Sequence, residues 1–137
     1  MIVAVEIIAG RQPTPEIVRA VDLLAAACAE RSFPVHRLAE PARVDNRLCL
    51  YLATADSGYD IERLLDVGVR RDAFARLGHA QYLVRSWRAE ARLHVAMAAR
   101  TEAALLEAAR LVAERMVRKD DFSHLDLQGP PAAENRE

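Results

Sequence analysis

Two strand-to-helix connections hold the residues best suited to grip a ligand: AGRQPT after the first apolar run and ATADSG after the third. If those runs are parallel neighbours in a sheet, Arg11, Gln12, Thr14, Thr54 and Ser57 gather at the strand carboxyl ends. Ligands bind there in open α/β sheets, beside helix N-termini that favour anions. A small anionic molecule is the ligand this set implies. The competing explanation is local. Thr14 is placed to N-cap a helix beginning at Pro15, and Ser57 with Asp60 has the spacing of a capping box. Asp56 and Asp60 then serve helix starts, not an acid/base pair, which needs a defined separation across a sugar.

Other catalytic patterns are missing from the sequence. ATADSG does not match the G-x-S-x-G nucleophile elbow, and there is neither a G-x-G-x-x-G run nor a Walker loop. His36, His79, His94 and His124 form no i,i+4 pair and no Cys/His cluster of zinc spacing, so the spacing assigns no metal, no cofactor and no catalytic residue. Cys28 and Cys49 read as buried small hydrophobes. Tyr51, Tyr82 and Trp87 read as sheet packing in preference to a stacking platform.

The 137 residues are enough for one domain with its own core, and 52% hydrophobic with 28% charged residues is a globular composition. Nineteen basic side chains against twenty acidic ones leave a formal charge of −1. Phosphate-backbone binding draws on a concentrated positive field, so nucleic acid is not expected as a partner. No apolar run reaches the ~18 residues of a membrane span, and no leader pattern precedes the first strand. The expectation is a cytoplasmic protein without a membrane partner.

The elements that must position these residues follow from periodicity. IVAVEIIAG is a strand. TPEIVRAVDLLAAACAER is a helix with Ile17, Val21, Leu24 and Cys28 on one face. Val35–Leu38 is a short strand, EPARVDN a loop, and LCLYLAT an interior strand. Residues 61–77 read as one broken helix or two short ones. AQYLVRSW and ARLHVAMAAR form a hairpin turning near Arg88, Ala89 and Glu90. Thr101 caps a last helix whose stripe is Leu105, Leu106, Ala109, Val112, Ala113 and Met116. The fold class expected is α/β: a two-layer sandwich, a mixed sheet of about five strands with two long helices on one face. Residues 1–119 form that single domain. Residues 120–137 read as a mobile C-terminal tail, with Phe122, Leu125 and Leu127 packing on the domain or on a neighbour.

This order of strand, helix, two strands, variable segment, hairpin and helix resembles the small non-catalytic α/β domain that precedes the catalytic barrel in β-N-acetylhexosaminidases and α-glucuronidases. The residues that carry the resemblance are RAVDLLAAACAE and the module AQYLVRSWRAEARLHVAMAARTEAALLEAARLVAERM. It implies a fold and no catalytic residue, because chemistry in those enzymes belongs to the barrel.

With Val3, Val5 and Ile7 turned to the helices, the other sheet face receives Glu6, Ile8, Tyr51, His94 and Ala96. That face is too apolar to stay wet, so a second copy or a protein partner is expected to cover it. The function expected is a non-catalytic accessory or protein-interaction domain. The alternative is a small enzyme or regulatory domain binding an anionic small molecule at the strand carboxyl ends.

Overall fold

Residues 2–130 are described in a computed structural model of the chain. The elements are β1 (Ala4–Ile8), α1 (Pro15–Glu30), β2 (Val35–Leu38), β3 (Arg47–Thr54), a 3-10 turn at Ile61–Arg63, α2 (Arg71–Ala75), β4 (Tyr82–Ala89), β5 (Arg92–Ala99), α3 (Glu102–Val117) and β6 (Asp126–Gly129). The six strands form one mixed sheet in the order β2-β1-β3-β5-β4-β6. β2, β1, β3 and β5 run parallel, and β4 is antiparallel to both β5 and β6.

Both long helices lie on one sheet face, giving a two-layer α/β sandwich. Ile17, Val21 and Leu24 of α1 and Leu105, Ala109, Val112 and Met116 of α3 pack there against Val5, Ile7, Leu50, Val95 and Met97. Local signals start each helix. Thr14 Oγ1 accepts from Ile17 N at 3.4 Å and Thr101 Oγ1 from Ala104 N at 3.2 Å, satisfying amides that have no partner within the helix. The hairpin turns at Glu90 and Ala91, both with positive φ (57° and 60°). That is the two-residue mirror-image turn that suits strand twist, here without glycine.

Two expectations need correction. The segment after residue 119 is not a loose tail over its described part. Phe122 and Leu125 are buried in the core under α3, and residues 126–129 add a sixth strand beside β4. Leu127 also rests on the core and Leu125 N donates to Ser86 Oγ at 2.7 Å; residues 131–137 lie outside the described region. The second sheet face, moreover, is covered by the chain itself. Tyr59, Ile61, Leu64, Leu65, Val69 and Leu77 cover Ile8, Tyr51, Ala96 and Ala98 in a second apolar cluster. Of the two readings of residues 61–77, one broken helix or two short ones, the structure has two short elements, a 3-10 turn and the five-residue α2. The segment's apolar residues point inward without helical periodicity, which hid them as a layer.

Candidate functional site

The turns after β1 and β3 do lie side by side, since the two strands are parallel neighbours. Their backbones touch. A Cβ on Gly10 would stand 2.2 Å from the Gly58 carbonyl oxygen, and both glycines have positive φ (80° and 79°), so only glycine fits at either position. Four of the five predicted binding residues, however, are engaged locally. Thr14 caps α1 and Gln12 is exposed. Thr54, 1% exposed, shares a short hydroxyl contact with Ser57 and accepts from Ser57 N at 2.9 Å. Ser57 therefore closes the turn, and Asp60 is what caps the following 3-10 turn, accepting from Glu62 N at 3.1 Å. Arg11 pairs with Glu40 at 3.5 Å, and Arg63 pairs with the same carboxylate at 3.4 Å. Glu40 thus stands between two guanidinium groups in the cleft of about 230 Å³ lined by Gly10, Tyr59 and Asp60.

The set expected at an intermolecular interface lies inside the molecule instead. Glu6 and Ile8 are 0% exposed, Ala96 is 0%, and Tyr51 and His94 are 4%. They need no partner chain because segment 59–77 and the loop between β2 and β3 already exclude water. His36, Glu6, Cys49, His94 and Trp87 form one row across five strands. Glu6 takes hydrogen bonds from Arg47 Nη1 at 2.8 Å and Ala42 N at 3.2 Å, and lies 3.8 Å from Cys49 Sγ. A charged residue inside AVEII signalled this network in the sequence, since a buried carboxylate requires donors. Its partners Arg47 and Ala42 were not recognisable.

A thiol, an imidazole and a carboxylate in one row are the residue types of a nucleophilic triad, yet the geometry does not assemble one. The Ala89 carbonyl can only accept, so His94 Nε2–H donates to it at 3.2 Å. The neutral ring then accepts through Nδ1 from the Tyr51 hydroxyl at 2.9 Å. Both ring nitrogens are occupied and neither serves Cys49. Burial, reinforced by the Glu6 charge, pushes the Cys49 thiol up to about 11, so it stays protonated at neutral pH. Trp87 stacks on His94 at 5.0 Å and on Tyr51 at 6.0 Å, which makes these aromatics packing groups. Among the described residues no group of three His, Cys, Asp or Glu side chains is disposed to hold a metal, and no helix is long and apolar enough to cross a membrane.

The buried imidazole makes stability depend on pH. Burial, with Arg92 nearby, lowers the His94 pKa below its ordinary 6.5, against the opposing pull of the Ala89 carbonyl and of Glu90 and Glu6. The unfolded chain therefore takes up a proton before the folded one does. Stability is complete above pH 6.5 and falls as the pH drops from there toward the lower folded value. Urea midpoints measured from pH 7.5 to pH 5 should decline for the wild type and decline less for His94→Gln. Equal slopes for the two proteins would remove His94 as the cause.

Fold and site together define a two-layer α/β domain with a sheet whose second face is covered by the chain's own residues 59–77. No family model matches the chain and no curated protein matches it. Among solved structures it is similar to CpGH84D, a glycoside hydrolase family 84 protein, at a TM-score of 0.65 and 8% sequence identity. That likeness covers 92% of this chain and 20% of the other, and at such identity it is a likeness of fold.

Proposed function

We propose that the chain is a non-catalytic accessory α/β domain that works in association with a protein partner or a second copy of itself. The observation that carries this reading is the extent of the structural likeness: 92% of this chain corresponds to only 20% of a much longer one. The resemblance to the small domain of β-N-acetylhexosaminidases and α-glucuronidases points the same way. The two carboxylates nearest the strand ends have local roles, since Asp56 accepts from Thr54 and Asp60 caps a turn. A cytoplasmic setting suits two free, buried cysteines. Because the second sheet face is already covered, association uses outer surfaces: the edge strand β2 and the exposed sides of α1 and α3.

The purified chain should show no turnover of an aryl β-N-acetylglucosaminide. Sedimentation over a concentration series should show a mass above the monomer, with cross-links mapping to β2, α1 or α3. Turnover that is lost in Asp56→Asn, or a strict monomer at every concentration with no partner cross-linked, would overturn the reading. A second reading, a small anion held at the carboxyl ends of β1 and β3, is favoured by the Arg11 and Arg63 pair around Glu40. In that case Glu40→Gln would gain a thermal stabilisation by pyrophosphate that Arg11→Gln abolishes.

A further inference from the structure

We infer that the cleft between residues 66–75 and β4 is a binding site for a small organic carboxylate, anchored by Arg85. The cleft follows from a contact that admits only glycine. At Gly68 an added Cβ would stand 2.2 Å from the Trp87 ring, so the chain presses onto that ring there and then lifts away into α2. The space left above β4 is about 630 Å³, within the roughly 300–1,000 Å³ typical of small-molecule sites.

Arg85 projects from β4 on the same side as Leu83 and Trp87 and lines this cleft. Its side chain is 24% exposed, and among the described residues it forms an ion pair with Asp126 alone, which is 77% exposed and 3.3 Å from Nε. The alignment is poor, and Arg85 Nε is a buried donor without a hydrogen-bond partner. A half-buried guanidinium held only by a solvated carboxylate retains donors for a planar, bidentate acceptor.

The other charges at the cleft limit what enters. Arg70 is paired with Asp72 at 2.7 Å, and Arg71 with Glu62 at 3.1 Å and Asp66 at 3.0 Å. Arg76 also lies 3.8 Å from Asp72, so the three guanidinium groups are matched by three carboxylates, and Asp66 and Asp72 would repel a second negative group. The remaining wall is Val67, Val69 and Ala75 with the Gly68 backbone. One negative group on an apolar body fits this lining, whereas a polyphosphate does not. This site is separate from the Gly10–Gly58 cleft and does not depend on the accessory reading.

The probes are benzoate and hexanoate at fixed ionic strength, with benzamide as the uncharged control, followed through the backbone amide signals of Val67, Gly68 and Ala75. Both acids should give saturable shifts, benzamide none, and Arg85→Gln should weaken binding by at least about tenfold. Asp126→Asn, on an exposed side chain, removes the competing carboxylate and should tighten binding. That gain also separates binding from a folding defect in Arg85→Gln. The proposal is overturned if neither acid shifts these signals at millimolar concentration, if benzamide acts like benzoate, or if Asp126→Asn weakens binding or leaves it unchanged.

Discussion

Replacing Glu6 by alanine lowers the unfolding free energy by about 3–5 kcal/mol, the range for removing one partner of a buried ion pair. Glu6 is fully buried and Arg47 is 16% exposed, so the variant leaves a guanidinium with little water and no counter-charge. It also strips the acceptor from Ala42 N, in the loop that crosses the sheet face from β2 to β3. Glu6→Gln should lose less, because its amide oxygen still accepts from that amide. The double variant Glu6→Leu/Arg47→Met should recover most of the loss, since apolar replacement of both partners avoids the unpaired charge. Urea unfolding of the four proteins measures this. A Glu6→Ala loss below about 1 kcal/mol, the scale of a surface pair, would show that the carboxylate is solvated.

Leu24→Ala costs about 2–5 kcal/mol through lost transfer energy and the cavity left behind. Leu24 is 0% exposed at the centre of α1, in the core shared with α3 and the sheet. The surrounding helix and strands are held on both sides, so collapse into the gap is limited. Leu23→Ala, one position round the helix and only half-buried, should cost clearly less. The same denaturant experiment decides it, with an unchanged m-value as the sign that the loss is in stability alone. Equal losses at the two positions would mean that α1 is not phased as described.

Helix phase was legible because it is local. Ile17, Val21 and Leu24 recur with the 3.6-residue period, as do Leu105, Ala109, Val112 and Met116, and a stripe so formed must find an apolar surface. Thr14 and Thr101 were legible for a similar reason, since a cap and the amide it serves lie three residues apart. The alternation in β5 divided Leu93, Val95 and Met97 correctly from His94, Ala96 and Ala98. Alternation does not say what lies on each face. It could not distinguish a partner's surface from the chain's own residues 59–77.

The sequence by itself therefore determined the fold class, the two long helices and the β4–β5 hairpin, while it left the parallel pairing of β1 with β3 as a condition that the sheet order meets. Each rests on contacts within a few residues or on the period of an apolar pattern. Only the tertiary structure decided that Glu6, Tyr51 and His94 are interior, that Arg11 and Arg63 close on Glu40, that residues 126–129 complete the sheet, and that Gly68 on Trp87 opens the cleft above Arg85. Those outcomes depend on side chains brought together from 19 to more than 40 positions apart, and no local propensity records which distant group will meet a given donor, acceptor or apolar face.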